Sequence, residues 1–298
     1  MNDFNTRMKG YIFVIIATSL YGIMPAVASF GYMRGLNSYS LFFGRVAFSV
    51  PIYIMMAIYK KESFRITGKQ LVWILCMSVF GTANGILAYM SYTYLPSGIA
   101  SLMAMMYIVF TMLLEFLLRI EKVKRYKIMV LIMSFVGIFI ILWTPAGESG
   151  ISIIGILLGL AGSLVYSCQV IMINNERVKS IPLEILFSYE SLPSLLVAPI
   201  IASIMGMAPI PQGLVQWGWS ALSAILFSVF AMLLFNTAVR LLGAGNASLV
   251  GTAEPFVSSI AGAVLLGDVL TGRSIAGGLI IFFSIFILTM LEYKKQKF

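Results

Sequence analysis

Gly98-Ile99-Ala100-Ser101-Leu102 returns as Gly245-Asn246-Ala247-Ser248-Leu249, displaced by 147 residues, about half of the 298-residue chain. Each copy opens the fourth hydrophobic segment of a block of five. A repeat on that scale governs how every shorter pattern is read. Five is odd, so if each block crosses a membrane five times, the second lies upside down relative to the first. Inverted pairs of this kind build binding sites near the bilayer midplane, where the repeats meet.

Composition points to a membrane. Sixty per cent of the residues are hydrophobic and 10% are charged, against about 25% charged in soluble domains; mean hydropathy is +0.98. Charge-free runs at Gly10–Met33, Gln70–Leu114 and Ser191–Val239 reach or exceed the roughly 17–25 residues of a spanning helix. They are too long, and too uniformly apolar, for barrel strands. The expected fold is an all-α membrane protein of ten transmembrane helices in two inverted five-helix repeats, residues 1–146 and 147–298. The spans read as 11–32, 38–58, 71–92, 97–118, 127–143, 152–173, 183–206, 216–239, 246–267 and 275–291.

The net charge of +9 raises the question of nucleic acid, but its distribution answers it. Seventeen of the 20 Lys and Arg residues fall at the amino terminus, at the carboxyl terminus or in alternate loops, such as Lys60, Lys61, Arg65 and Lys69. The other side holds Arg34 and Arg273, and Arg45 lies within a span. The positive-inside rule then places both termini in the cytoplasm of a multi-pass plasma or inner-membrane protein. Basicity here encodes topology, with no nucleic-acid partner. Arg7 and Lys9, an apolar run and Ala26-Val27-Ala28 resemble a cleavable leader; its removal would destroy both the repeat and the charge alternation. Cys76 and Cys168 fall inside spans and indicate neither a disulfide framework nor a metal site.

Extended without a gap, the 147-residue shift pairs 72–142 with 219–289, matching Phe80 with Phe227, Leu95 with Leu242 and Phe139 with Phe286. Gly-x-Ala-Ser-Leu at the start of spans 4 and 9, together with Glu254-Pro255 and Leu266-Gly267-Asp268, resembles the EamA family of the drug/metabolite transporter superfamily. The first half departs from the pattern, with Tyr107-Ile108 where proline is usual and Arg119-Ile120-Glu121 in place of the glycine-acid ending. The resemblance implies a central cavity lined by spans 1–4 and 6–9, with spans 5 and 10 peripheral.

An ionisable residue at the centre of a membrane helix costs about 2.5–3.5 kcal/mol on insertion scales and needs a reason. Glu254 stands near mid-span, followed by Pro255, which breaks the helical hydrogen bonding. It is the leading candidate for a substrate ammonium, for proton coupling, or for both. Tyr107 is its counterpart under the shift. The chain has no histidine, so a proton carrier must be a carboxyl; Glu190 in span 7 is the second candidate. Arg45, about seven residues into span 2, lies about 10 Å deep. It either snorkels outward or binds a substrate carboxylate. An ammonium anchor at Glu254 with a carboxylate anchor at Arg45 suits an amino acid.

Tyr21, Tyr89 and Tyr166 lie deep enough to join Tyr107 as a cation–π cage. Asn84 and Asn236, the latter the repeat counterpart of Tyr89, complete the expected binding set. Tyr92 and Tyr94 fit the outer aromatic belt, and Asp268 reads as a boundary residue. Gly155-x-x-x-Gly159, continued by Gly162-Ser163, reads as close helix packing, within the chain or in a homodimer. No nucleotide loop, metal motif or nucleophile–base pair is present, so neither an enzyme nor a cofactor is expected. The expectation is a secondary active transporter exporting small amino acids or related amine-bearing metabolites by proton antiport. The alternative is uptake or facilitated exchange of a quaternary amine or other small metabolite.

Overall fold

The computed structural model describes residues 2–119, 125–142, 151–173, 175–178, 180–242, 247 and 250–296. All but Ala247 of the second Gly-x-Ala-Ser-Leu copy, the Ile120-Glu121 pair and the 146/147 division lie outside the described residues. Those residues are helical between short connections, with no strand among them. In chain order the helices are α1 (Asn2–Tyr32), α2 (Ser38–Tyr59), α3 (Gly68–Ser91), α4 (Ser97–Met105), α5 (Tyr107–Leu117), α6 (Arg125–Leu142) and α7 (Ile153–Ile173). The second half continues with α8 (Leu183–Ser191), α9 (Ser194–Ile204), α10 (Leu214–Ser223), a π-helical stretch Ala224–Ala231, α11 (Met232–Leu242), α12 (Glu254–Leu266) and α13 (Gly272–Gln296).

By length and composition, seven helices among the described residues suffice to cross a membrane: Met8–Tyr32, Ser38–Tyr59, Gly68–Ser91, Ser97–Leu117, Ile153–Ile173, Leu183–Ile204 and Leu214–Val239. Shorter apolar helices cover Ile128–Ile141, Glu254–Leu266 and Gly272–Leu288. The chain is therefore a multi-pass helical membrane protein, and the full set of ten expected spans is not reached by described helices of spanning length.

Helix starts follow ordinary capping chemistry. The Asn37 and Thr67 side chains accept the backbone N–H of Ser40 and Gln70, and their own backbone N–H groups donate to the Ser40 and Gln70 side chains, opening α2 and α3 with capping boxes. Gly267, at φ +71°, ends α12 in the left-handed conformation that glycine alone adopts cheaply. That turn carries Asp268 back to the start of α4, where its Oδ2 accepts the Ser97 N–H at 2.7 Å. Asp268 is thus more than a boundary residue: it clasps two helices from different halves.

The packing is two-fold in pattern. α7 packs on α3, α4 and α5, and its counterpart α1 packs on the π stretch, α11 and α12. α2 packs on the π stretch as α8 packs on α3. α4 packs on α12 of the other half, and two sets meet their own counterparts, α2 with α8 and α9 and α6 with α13. The last pair approaches backbone to backbone. A Cβ on Gly137 would lie 2.7 Å from the Gly277 carbonyl oxygen, and one on Gly277 would lie 2.5 Å from that of Gly137.

At the end of the bundle opposite Lys60, the halves are stitched together. The Trp219 indole N–H donates to the Val27 carbonyl at 2.8 Å, and the Asn37 amide donates to the Ala208 carbonyl at 2.9 Å. The Arg34 guanidinium stacks over Trp219 at 4.6 Å. The close α6–α13 contact gives a direct test. Gly277→Val should cost about 1–3 kcal/mol by overpacking and lower the thermal unfolding midpoint in detergent; an unchanged midpoint would refute the contact.

Candidate functional site

The expected break at Glu254-Pro255 is present, and it has a twin. Ala253 lies in a tightened turn, its N–H bonded to the Val250 carbonyl at 3.1 Å, and α12 starts at Glu254 with Pro255 in its first turn. Proline is tolerated there because its missing N–H would have no helical partner. In the first half Met106 forms the same turn, with its N–H on the Met103 carbonyl at 3.2 Å, and α5 starts at Tyr107. Met106 and Ala253 are 147 residues apart. The first break needs no proline because α7 supports it from outside. Ser163 Oγ is within hydrogen-bond reach of the Met103 carbonyl and 3.2 Å from that of Ala104. Gly159 lets α7 approach that close, since a Cβ there would lie 2.8 Å from Met103 Cβ. A third break, at Leu192-Pro193, separates α8 from α9 just after Glu190.

Glu254 faces α4. Its Oε1 accepts the Ser101 hydroxyl at 3.0 Å, so the serine of the first Gly-x-Ala-Ser-Leu copy touches this carboxyl. Gly98 of the same motif presses on Ser259, where a Cβ would come 3.0 Å from the Ser259 backbone, and Ser258 Oγ donates to the Ser97 carbonyl at 2.8 Å. Gly22 of α1 closes the other side, within van der Waals contact of Val257 and the Glu254 carbonyl. Tyr107 and Tyr166 stack edge to face at 4.9 Å. Tyr21, Tyr92, Tyr107 and Tyr166 all lie within electrostatic reach of Glu254.

Arg45 does not snorkel. Its Nε donates to Ser228 Oγ at 2.8 Å, and one terminal nitrogen reaches Tyr89 OH at 3.0 Å and Met24 Sδ at 3.7 Å. Among the described residues no carboxylate bonds to it. The π-helical stretch presents Ser228 to α2 twice over, since the Ser228 carbonyl also accepts Tyr53 OH at 2.9 Å. A wider π turn at such a place is a frequent companion of functional sites. Tyr21 is within electrostatic reach of both Arg45 and Glu254, and so is Tyr92.

Glu190 is 6% exposed and accepts the Gln169 amide at 3.0 Å. It packs against Gly81, where any Cβ would collide with its carboxylate. It makes no pair with Arg45 among the described contacts. Tyr166 lies within electrostatic reach of both Glu190 and Glu254.

The structure thus groups Arg45, Tyr21, Tyr89, Tyr107, Tyr166 and Glu254, and places Glu190 nearby through Tyr166. It does not bring the two asparagines to that group. Asn84 faces α7 at Gly162, and Asn236 donates to the Met232 carbonyl of its own helix at 2.8 Å. Tyr92 is not an outer-belt residue; it is 8% exposed and packs edge to face on Tyr89 at 5.6 Å. Tyr94, 42% exposed, is placed as a belt residue would be. Sequence reasoning passed over Ser101, which sits inside the repeated motif, and Gln169, a lone amide in an apolar helix. Tyr53, Ser228 and Met24 carry no sequence signal.

A polytopic helical bundle of two matching halves, with broken helices and charged groups at depth, has the architecture of a membrane transporter. The profile of the EamA-like transporter family matches residues 8–143 and again 153–290, and the chain belongs to that family. A relative named as a probable amino-acid metabolite efflux pump, from Salmonella typhimurium, is 22% identical over 287 residues, covering 93% of this chain and 90% of the relative. An uncharacterized transporter of Synechocystis is 24% identical over 216 residues; the chain spans 63% of that relative's length and 70% of its own. A solved crystal structure, 16% identical, superposes at a TM-score of 0.64 over 97% of this chain and 98% of the other, which shows the shared fold.

The Gly81–Glu190 contact predicts a coupled pair. Gly81→Ala should lower the thermal midpoint in detergent, and adding Glu190→Ala should recover most of the loss, a coupling of about 1 kcal/mol. Additive effects of the two substitutions would count against the packing described.

Proposed function

We propose that the chain is a secondary active transporter of the cell or inner membrane that exports small amino acids or related amine-bearing metabolites by proton antiport. The observation that carries this reading is that Arg45, bonded by neutral groups, and Glu254 both lie within the spanning part of the bundle and share Tyr21 and Tyr92 as electrostatic neighbours. A guanidinium with unspent donors recognises a carboxylate by charge-assisted hydrogen bonds. A carboxyl ringed by tyrosines recognises an ammonium. An amino acid presents both groups, and the name of the Salmonella relative agrees with that class.

In this reading Glu254, Arg45, Tyr107, Tyr21, Tyr89 and Tyr166 bind the substrate. Asn84 and Asn236 stand outside that group. Glu254 and Glu190 carry protons, with the carboxyl that releases a proton binding the ammonium that replaces it. Ten spans cross the membrane in two inverted repeats, 1–146 and 147–298, with both termini in the cytoplasm. Access alternates as the α1–α11–α12 and α3–α4–α7 groups rock about the self-paired helices.

Purified protein in proteoliposomes tests this. An acid-inside pH gradient should drive accumulation of a small neutral amino acid. Arg45→Ala and Glu254→Gln should each cut that flux by about tenfold to a hundredfold, as expected for loss of one hydrogen bond to a charged group. Wild-type flux in both variants sinks the assignment of those anchors. Flux that only dissipates the substrate's own gradient makes the protein a facilitator. Uptake of a quaternary amine that is insensitive to Arg45→Ala favours the alternative substrate class.

A further inference from the structure

Away from the Arg45–Glu254 centre, α2, α8 and the π–α11 helix enclose a cavity of about 60 Å³ whose lining includes Tyr53, Ser228, Leu233, Asn236, Lys60 and Glu184. One end is Ser228, whose hydroxyl accepts from Arg45 and whose carbonyl accepts from Tyr53. The other is Lys60, the C-cap residue of α2, which pairs with Glu184 in the first turn of α8. Their side chains are 43% and 12% exposed, so the pair stands between the cavity and the water at the basic face. It also joins the first half of the chain to the second.

The lining has a direction. Arg45, Tyr53, Met56 and Lys60 lie along one face of α2, about two turns, one turn and one turn apart. Between the two cations the polar groups of Tyr53, Ser228, Asn236 and Thr237 share the walls with Met56, Leu183, Met232 and Leu233, a mixed lining that suits a small amphipathic or hydrated occupant better than an empty apolar void. At about 10–15 Å³ for each water-sized group, the volume takes about four to six such groups, the size of a small zwitterion. A part-exposed ion pair adds little stability. It is therefore poorly explained as a structural staple, and it opens at small cost.

We infer that this cavity is an inner vestibule on the route to Arg45, taking the carboxylate end of a small amino acid, and that Lys60–Glu184 is its latch. When the pair parts, Lys60 faces the vestibule with its charge uncompensated and receives the carboxylate, which then passes Tyr53 and Ser228 to Arg45. The carboxylate assignment rests on the proposed role of Arg45; the latch and the vestibule rest on the cavity and the ion pair alone.

Thiol accessibility separates these. With Cys76 and Cys168 replaced by serine, Asn236→Cys and Leu233→Cys each report on the vestibule. The probe is an anionic, membrane-impermeant methanethiosulfonate applied to one face of oriented vesicles at a time. Modification is expected from the basic face, at a rate raised at least about threefold by Glu184→Gln for the anionic reagent and by Lys60→Gln for a cationic one, and returned to the starting rate by the charge swap Lys60→Glu/Glu184→Lys. In Glu184→Gln the anionic reagent should gain more than a cationic one, because Lys60 is left unpaired. Two unreactive reporters, or rates indifferent to the single substitutions, overturn the latch. Equal gains for both reagents overturn the carboxylate assignment. If labelling follows the expected pattern while Arg45→Ala transports normally, the role of Arg45 fails and the vestibule stands.

Discussion

Inside hydrocarbon every backbone N–H and C=O must find its partner within the protein, and the two matching helix breaks of this bundle lie where other helices pack against them. The turns at Met106 and Ala253 interrupt two helices in the membrane-spanning part of the bundle. At the first, Ser163 approaches the Met103 and Ala104 carbonyls from α7, which comes close enough only because Gly159 has no side chain. At the second, the strand of contacts from Ser101 through Ser97 to Asp268 holds α12 against α4. Polar groups at depth are the by-product of these repairs. Once the backbone is opened and buried in protein, a carboxyl and a ring of tyrosines fit beside it at lower cost than on a lipid-facing surface.

Symmetry supplies the scaffold and asymmetry supplies the chemistry. The breaks at 106 and 253 correspond, yet one is followed by Tyr107 and the other by Glu254. The guanidinium comes from α2 of the first half, whereas the carboxyls of Glu190 and Glu254 come from the second. Tyr21 and Tyr92, from the first half, lie within electrostatic reach of both charges.

Much of this was legible in the chain itself. The 147-residue register, the apolar runs and Glu254-Pro255 are local patterns, and they led to the membrane fold, the repeated halves and one break. The other break was hidden, because Met106 and its neighbours form an unremarkable helix unless Ser163 is known to lie alongside. Tyr92 was misread because its position near a helix end suggested the interface, when Tyr89 draws its ring inward. Asn236 has the polarity of a ligand group but bonds to its own helix. Arg45 stands out in the sequence by its cost, while Ser228 and Met24, which share its environment, become visible only in three dimensions. Charge at depth can be read from sequence; the partner that makes it tolerable is set by packing across more than 180 residues of chain.

The placement of α1 and α7 has a mechanical meaning. α1 packs chiefly on the π stretch, α11 and α12 of the second half, and α7 packs on α3, α4 and α5 of the first. Each half has lent its opening helix to the other, as two subunits do in a swapped dimer. The sequence repeat is consequently not the packed unit: each group of packed helices is a composite of both repeats. A chain severed between its halves would yield two fragments that each lack the first helix of their own bundle, and neither could close its core until the other arrived.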